Sequence, residues 1–492
     1  MSKQPHLVRF MDVPRQPPQK QPPEQRITHH REIYHPFGAA DAAMQSSRCL
    51  DCGNPYCARG CPVHNDIPGW LKMVRDGHLI EACEHMHSTN PLPEICGRVC
   101  PQERLCEGAC TLEHTEFGAV TIGSVEHWVV DEAFRQGWRP DLSRVRETGR
   151  RVAIVGAGPG GLACAERLRR AGIGVDVYDC HDEVGGLLIY GIPSFKLDKD
   201  VIRLRRTILE GMGVRFHLNV EIGRDIALDT LLENHDAVFT ATGAYRALDG
   251  KLPGLQLEGI HQALPFLIES TRRLRRKDVP ADDNAIAGKR VIVLGGGDTA
   301  MDCVRTALRR RASEVTCVYR RDQESMPGSV REVVHAHEEG VDFRYHCQPK
   351  ALLGDALEVT GTQRVEGVRV VATERVESGP DGTRLAHVDG SEQVLAADVV
   401  VIAFGFRAEA PAWCRALGIE HDAQGRIRVG GSSRLAQQTS NPRVFAGGDM
   451  VRGADLVVRA VHDGREAAAS IVRYLARAGA GVAVQSDCAQ EA

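Results

Sequence analysis

The sequence predicts an α/β protein in which a mainly helical segment precedes two Rossmann-like, dinucleotide-binding units. Two segments, which begin at Arg151 and Lys289, each contain an apolar strand, a glycine-rich turn, an amphipathic helix and a second apolar strand. That order is typical of a βαβ unit in a parallel sheet. The third observation lies ahead of both units, where nine of the sixteen cysteines fall between Cys49 and Cys110.

The composition argues against several broad classes of protein. The 492 residues carry 61 basic and 65 acidic side chains, a near-balance that gives no reason to expect a nucleic-acid or anionic-membrane partner. No apolar run reaches the roughly 18 residues that span a bilayer, and the N-terminus lacks the apolar stretch of a signal peptide. We therefore expect a cytoplasmic protein with neither nucleic acid nor a membrane as its partner.

The first glycine-rich turn predicts a dinucleotide site. Gly156 permits a tight turn, Gly158 lets a pyrophosphate approach the backbone, and Gly161 lets the helix pack against the strand. Gly160 lies between them at the start of a helix whose N-terminus faces the phosphates. Asp179 ends the second strand, where a carboxylate accepts hydrogen bonds from a ribose diol. Because the strand, the helix and the acidic residue all occur in the expected places, a glycine-rich turn that arose by chance is a poor explanation.

Further segments favour FAD at this first site. Gly186 follows the ribose acid closely and leaves room for backbone to lie along a large cofactor. Two more pairs follow apolar strands and complete the predicted set: Thr242-Gly243 and Gly448-Asp449. This set resembles the flavoproteins with two dinucleotide folds, in which the counterpart of Asp449 binds the ribityl–phosphate part of FAD. A plain strand-to-helix turn with an aspartate cap is compatible with that role.

The second glycine-rich turn predicts an NADPH site. Gly295, Gly297, Asp298 and Thr299 form the turn and the start of its helix. At the end of the following strand, Arg320-Arg321 stands where an acid would favour NAD. Two guanidiniums favour the 2′-phosphate of NADP, because each can form bidentate, charge-assisted bonds. The alternative is a solvated basic strand end.

The cysteine spacing favours iron–sulfur clusters over zinc. Zinc sites usually join two C-x2-C pairs, whereas only one such pair occurs in the cluster, at Cys49 and Cys52, and Cys-Pro occurs twice, as in ferredoxin runs. Eight cysteines would nominally fill two [4Fe–4S] clusters, and the scattered remainder are interpreted as buried apolar residues. A zinc-stabilised, non-catalytic binding protein is the alternative from another class.

The combination of cofactors predicts an electron-input module. NADPH delivers two electrons as a hydride, clusters accept one at a time, and a flavin can do both. No redox-active cysteine pair adjoins either turn, and no serine-nucleophile elbow or Walker lysine is present. We therefore expect no catalytic side chain and an electron acceptor that is another protein.

The chain resembles the small-subunit family of NADPH-dependent glutamate synthase over nearly its whole length. The similarity includes Glu32-Ile33-Tyr34, the segment from Arg48 to Cys57, Asn65-Asp66-Ile67-Pro68 and Gly97-Arg98-Val99-Cys100-Pro101. The N-terminal FAD, NADPH and iron–sulfur part of dihydropyrimidine dehydrogenase shares this architecture. The resemblance implies electron transfer to a large subunit that carries FMN, where glutamine and 2-oxoglutarate give two glutamates. The alternative is an input subunit of a dihydropyrimidine dehydrogenase-like or ferredoxin:NADP oxidoreductase complex.

We expect the FAD domain to be interrupted by the NADPH domain. Gly448-Asp449 belongs with the first turn although the second turn separates them. The expected segments are a helical [4Fe–4S] domain at 1–147, FAD-binding parts at 148–286 and 405–492, and an NADPH domain at 287–404.

The resemblance also implies how the two clusters are held. Cys49, Cys52, Cys57 and Cys110 hold one cluster. Cys61, Cys100 and Cys106 hold three corners of the other, Glu126 holds its fourth corner, and Cys96 is left over. The residues agree in part, because Glu126 lies at the edge of an apolar stripe in a helix predicted over Thr121–Gln136. A carboxylate beside a buried face needs a partner or a metal. The alternative keeps Cys96 as the eighth ligand and pairs Glu126 with an arginine.

Overall fold

The computed structural model describes residues 6–275, 285–356, 363–377 and 383–487. Its N-terminal part is mainly helical, with seven α-helices and two 3-10 turns, at His6–Met11 and Gln102–Arg104. The helices are α1 (Pro23–Arg26), α2 (Ala39–Ser46), α3 (Tyr56–Gly60), α4 (Ile67–Arg75), α5 (Leu79–Thr89), α6 (Pro93–Val99) and α7 (Ile122–Arg135). Helix α7 occupies the predicted span Thr121–Gln136 to within a residue at each end, and it packs against α6.

The first dinucleotide unit is built on a parallel five-stranded sheet in the order β16-β4-β1-β2-β3. Its elements are β1 (Arg151–Val155), α8 (Pro159–Arg170), β2 (Gly174–Asp179), α9 (Leu187–Tyr190), α10 (Lys199–Gly211), β3 (Val214–Leu218), α11 (Leu228–Asn234), β4 (Ala237–Thr240), and later α15 (Ala412–Ala416), β16 (Val444–Ala446), α16 (Asp449–Arg452) and α17 (Val457–Asp487). Strand β16 pairs with β4 in register Val444↔Val238. The chain therefore returns to this sheet after about 200 residues spent elsewhere.

The second unit has a parallel sheet in the order β6-β14-β7-β8-β9. Its elements are β6 (Ile260–Gln262), α12 (Ala263–Arg275), β7 (Arg290–Leu294), α13 (Asp298–Arg309), β8 (Glu314–Val318), α14 (Val330–Glu338), β9 (Asp342–Arg344) and β14 (Val399–Ile402). Strand β6 pairs with β14, although it precedes residue 287, where this domain is expected to begin. The second sheet thus includes residues that precede the expected boundary. The domain limits themselves stay a prediction.

An antiparallel sheet is inserted into the second unit. It consists of β10 (Cys347–Ala356), β11 (Gln363–Glu377), β12 (Thr383–His387) and β13 (Gln393–Ala396), with β11 paired to the other three. Strands β5 (Arg246–Ala247) and β15 (Phe406–Arg407) form a short antiparallel ladder. It joins the two segments in which the chain passes from the first unit to the second and back. Across the described residues, no helix has both the length and the apolar character that crossing a membrane requires.

A buried ion pair and hydrogen bonds to carbonyl groups connect the helical part to the first unit. Arg205 of α10 donates two hydrogen bonds of 2.7 Å to the Glu94 carboxylate of α6, and both side chains are at most 1% exposed. Arg465 of α17 donates to the carbonyl groups of Val63 and Thr89. Because a buried charge is stable only when it is paired, these contacts fix the helical part against the first sheet.

Candidate cofactor sites

The first glycine-rich turn connects β1 to α8 and borders a cavity of about 460 Å³. Gly156 has a φ of +106°, and a side chain there would overlap the carbonyl oxygen of Ala241. A side chain on Gly161 would overlap the Gly156 carbonyl, so α8 approaches β1 this closely only because both are glycine. A Cβ atom on Gly158 would have no neighbour within 4 Å. This open space beside the backbone is the shape that a pyrophosphate needs.

Asp179 lies at the end of β2 and is held from two directions. Its Oδ2 accepts a hydrogen bond from the Ala157 amide at 2.7 Å, and its Oδ1 accepts one from the His181 amide at 2.8 Å. The same carboxylate raises the pKa of His181 to about 10 through a side-chain hydrogen bond. A carboxylate oxygen has a second lone pair, so Asp179 retains capacity for a ribose hydroxyl.

The cavity wall that follows β4 and β16 contains further polar groups. Thr242 Oγ1 is buried, and no hydrogen-bond partner for it exists among the described residues. Burial raises the pKa of the Asp449 carboxyl to about 7. Buried polar atoms without partners are rare in folded proteins, so the Thr242 hydroxyl fits a polar ligand such as the ribityl–phosphate part of a flavin nucleotide. Asp449 Oδ1 accepts a hydrogen bond from the Asp455 amide at 3.3 Å, and the carboxyl retains capacity for the same ligand.

Most of the predicted nucleotide residues lie around this one cavity. Eleven of them line it: Gly156, Gly158, Gly160, Asp179, Gly186, Thr242, Gly243, Asp298, Thr299, Gly448 and Asp449. Gly161, Gly295 and Gly297 shape the turns behind it, and Arg320-Arg321 borders a separate pocket. Because Asp298 and Thr299 come from the second unit, the cavity brings the two nucleotide turns into one space.

The second turn repeats the geometry of the first. Gly295 has a φ of +137°, and a side chain there would overlap the carbonyl oxygen of Ala403, whereas Gly297 faces open space. Asp298 Oδ1 accepts a hydrogen bond from the Ser329 amide at 2.8 Å. Arg104, in the helical part, donates to the carbonyl oxygen of Pro327 at 2.7 Å. The loop that faces the second turn is therefore fixed by the second unit and by the helical part.

The cysteines form two groups in the helical part. In the first group, burial raises the pKa of Cys49 to about 11 and that of Cys57 to about 12. The nearby thiols of Cys52 and Cys110 contribute to both increases. Such thiols become thiolates only beside a positive charge, and a metal centre provides one.

The second group surrounds a narrow cavity lined by Cys61, Cys96, Cys100, Cys106 and Glu126. Burial raises the pKa of Glu126 to about 8. The Glu126 carboxylate accepts a hydrogen bond from Asn90 Nδ2 at 3.3 Å, and Cys96 Sγ donates to Asn90 Oδ1 at 3.7 Å. Both candidates for the fourth ligand thus reach the same cavity, and the ligand set stays a prediction.

The positions of the described cysteines can be compared with what a single zinc ion requires. Four thiolates on one zinc ion, each about 2.3 Å from it, lie within about 4 Å of one another. Among the described residues, the only three-donor group within 4.8 Å is Asp179-Cys180-His181, and no three cysteines meet that distance. The described cysteines therefore do not form a preassembled single-ion site.

Cys100 borders both kinds of site. It lines the cluster cavity, and with Val99 and Pro101 it also lines the nucleotide cavity. A residue shared by two cavities marks where the two sites come closest. The sequence places Cys100 only in the cluster motif, because its second contact depends on how the helical part packs.

Two contacts of the nucleotide cavity were not predicted from the sequence. Asp463 of α17 is fully buried, and its carboxylate accepts from the Gly448 amide at 3.0 Å and from two nitrogens of Arg452. Lys196 Nζ donates to Asp302 Oδ1 at 2.8 Å and joins the first unit to the second. Asp463 lies outside the predicted Gly448-Asp449 segment that it contacts. Lys196 and Asp302 belong to no predicted motif, so the motifs alone do not indicate either contact.

One expectation for the scattered cysteines is wrong. Cys180 is exposed rather than buried, because it follows β2 at the mouth of the cavity, where its Sγ lies 3.4 Å from His181 Nδ1. The others within the described residues are buried: Cys164, Cys303, Cys317, Cys347 and Cys414. Cys488 lies outside the described residues.

Comparison with known proteins identifies the family. Residues 26–138 match the model for dihydropyrimidine dehydrogenase domain II, 4Fe-4S cluster, and residues 150–464 match that for pyridine nucleotide-disulphide oxidoreductase. The chain is 52% identical to the glutamate synthase [NADPH] small chain of Escherichia coli (strain K12), over 96% of this chain and 99% of that protein. The chain belongs to the glutamate synthase [NADPH] small-chain family. The resemblance and the fold class stated above are thereby confirmed.

One further relative in sequence and one solved structure are also similar to this chain. The putative oxidoreductase AegA of Escherichia coli is 51% identical over 93% of this chain and 69% of that protein. The structure of Mycobacterium tuberculosis FprA in complex with NADPH superposes with a TM-score of 0.55 at 20% identity, covering 68% of this chain and 86% of that chain. The chain is an oxidoreductase with a 4Fe-4S domain and a fold that binds FAD and NADPH.

Proposed function

We propose that this chain is the NADPH-oxidising subunit of a glutamate synthase. It takes electrons from NADPH and delivers them to a large subunit that carries FMN. In the overall reaction of the two subunits, NADPH, a proton, glutamine and 2-oxoglutarate give NADP⁺ and two glutamates. The observation that carries this proposal is the 52% identity to a glutamate synthase small chain over nearly the whole length of both proteins.

The cavity supports FAD as the resident cofactor of the first unit. Gly156, Gly158 and Gly160 would receive the pyrophosphate, and Asp179 the ribose diol. Thr242 and Gly448-Asp449, which follow β4 and β16 of the same sheet, would hold the ribityl–phosphate part. When bound, a flavin converts between hydride and single-electron chemistry, which no side chain supplies. The protein's role is to bind and orient the cofactors and to exclude water.

Two [4Fe–4S] clusters would connect this cavity to the large subunit. Cys49, Cys52, Cys57 and Cys110 would hold one, and Cys61, Cys100, Cys106 and Glu126 the other. The position of Cys100 beside both cavities supports placing the second cluster nearer the nucleotides. The first group is less buried, which supports an exit for electrons near the surface.

Reconstitution with the large subunit tests the proposal. The purified chain should contain FAD and about eight irons, the content of two cubanes. With the large subunit present, glutamine and 2-oxoglutarate together should accelerate NADPH oxidation and yield two glutamates per NADPH. Oxidation that does not depend on either substrate, or protein without flavin and iron, would contradict the proposal.

A second candidate is an electron-input module for another acceptor. The chain is 51% identical to AegA, which is named only as a putative oxidoreductase. This identity supports the second candidate, because a similar chain is named without glutamate synthase. In that case the loaded chain should reduce ferredoxin, or support reduction of a pyrimidine by a partner, faster than it supports glutamate formation. Measuring all three acceptors with one preparation separates the candidates.

A further inference from the structure

We propose that Arg375 and Arg384, which belong to the antiparallel sheet, complete the nucleotide 2′-phosphate site that Arg320 and Arg321 begin. The inserted sheet would then set the preference for NADPH over NADH. This inference rests on the proposed function, because it concerns the nucleotide that the second unit binds.

The four arginines share one pocket although they come from different elements. A pocket of about 470 Å³ is lined by Arg320, Arg321, Arg375, Arg384 and Leu385. The first two follow β8 of the parallel sheet, whereas Arg375 lies in β11 and pairs across the ladder with Leu385 in β12. Within the described part of the chain, the residues that line this pocket include no carboxylate.

The pocket is next to the second glycine-rich turn. A side chain on Gly296 would come within 2.5 Å of the ring of Tyr319, so the turn lies against the residue that precedes Arg320. In a Rossmann-like unit, the adenosine ribose lies between the glycine turn and the end of this strand. A phosphate on its 2′-oxygen would therefore point toward the pocket.

The inserted sheet is fastened to the loop that carries Arg320 and Arg321. Thr373 Oγ1, in β11, donates a 2.6 Å hydrogen bond to the Arg320 carbonyl, and the His346 amide donates to the Arg321 carbonyl at 3.1 Å. Arg375 forms a 3.0 Å ion pair with Asp322 and donates to Ser325 Oγ. Arg375 is thus oriented before any ligand arrives, which lowers the entropy cost of binding.

The charge of the pocket favours an anion. Arg320, Arg321 and Arg384 make no side-chain hydrogen bond or ion pair with the described residues, and only Asp322 offsets the positive charge beside them. Guanidiniums that line one pocket repel one another, and an anion between them offsets this repulsion. A phosphomonoester carries close to two negative charges and accepts bidentate bonds from arginine, whereas the 2′-hydroxyl of NADH offers neither.

The test compares single substitutions in the loaded protein. Arg375→Ala and Arg384→Ala should each raise the KM for NADPH about tenfold and leave the KM for NADH unchanged, because one charge-assisted contact is lost. Lysine at either position should restore part of the preference. Arg364→Ala is the matched control, since Arg364 lies in β11 outside the pocket, where it pairs with Glu258 at 2.6 Å.

Binding of fragments gives an independent readout. Adenosine 2′,5′-bisphosphate should bind the wild type more tightly than AMP, and this difference should shrink in both variants. Weak competition by inorganic phosphate would indicate that the adenosine positions the phosphate. If the wild type prefers NADPH and both variants keep that preference, the inference is wrong while the proposed function stands. If the wild type does not oxidise NADPH, the proposed function itself fails.

Discussion

At the scale of single residues, nucleotide selectivity depends on which charges surround one oxygen of a ribose. Arg320 and Arg321 end the β8 segment and border a pocket without a carboxylate in its described lining. Replacing both with leucine should raise the KM for NADPH at least about a hundredfold, because each charge-assisted contact contributes about 1.5–3 kcal/mol. The KM for NADH should change little. A double variant that keeps the wild-type ratio of the two constants would show that these arginines do not select the nucleotide.

A second residue-scale prediction concerns the fourth ligand of the buried cluster. Glu126 and Cys96 both contact Asn90 and border the same cavity. We expect Cys96→Ala to retain about eight irons and Glu126→Ala to alter one cluster, since an oxygen ligand tunes the potential of its cluster. Iron analysis and EPR of the reduced protein measure both effects. The reverse pattern would assign the fourth corner to Cys96.

At the scale of elements, the cavity depends on a turn that α17 supports from behind. Asp463 is fully buried and binds both the Gly448 amide and the Arg452 guanidinium. Asp463→Asn removes the charge and leaves Arg452 partly unpaired, which should cost about 3 kcal/mol. The purified variant should contain less FAD and unfold at lower urea. Asp422→Asn, which breaks the more exposed pair with Arg426, should retain its FAD.

Elements were predictable from the sequence where local geometry dictates residue type. Gly156 and Gly295 require positive φ, and buried parallel strands require apolar runs, so both turns and their helices follow from short segments. The place of β6 in the second sheet does not follow, because three residues carry no periodic signal. Asp463 and Lys196 were missed for a related reason. Lys196 contacts Asp302 of the second unit, and Asp463 of α17 contacts the predicted turn at Gly448. Both contacts depend on how separate elements pack together.

At the scale of the whole molecule, the helical part is attached to the first unit through a buried polar group, His87. Its Nδ1 lies 2.8 Å from the Cys83 carbonyl, and Arg205 Nη2 lies 3.3 Å from its Nε2. Because arginine can only donate, Nε2 accepts and Nδ1 carries the proton. His87 is therefore neutral in the folded protein. Burial, together with the charge of Arg205, holds its pKa well below the ordinary value of 6.5.

The whole molecule should therefore lose stability below pH 6.5. Over the pH range in which His87 binds a proton in the unfolded chain but not in the folded chain, lowering the pH reduces the free energy of unfolding. The reduction is at most about 1.4 kcal/mol per pH unit. The contribution of His87 is complete above pH 6.5 and is lost as the pH falls toward its depressed folded pKa.

Urea unfolding at pH 5.5, 6.5 and 7.5 measures this dependence, and the fluorescence of Trp138 reports it locally, because its ring lies 4.6 Å from that of His87. His87→Gln keeps an acceptor for Arg205 but cannot titrate, so its midpoint should fall less between pH 6.5 and 5.5 than that of the wild type. His387→Gln, at an exposed histidine, is the control. Both variants share the acid sensitivity of the metal centres, so a difference between them reports on His87. Parallel pH profiles for the wild type and His87→Gln would show that the contact between the helical part and the first unit does not depend on a neutral His87.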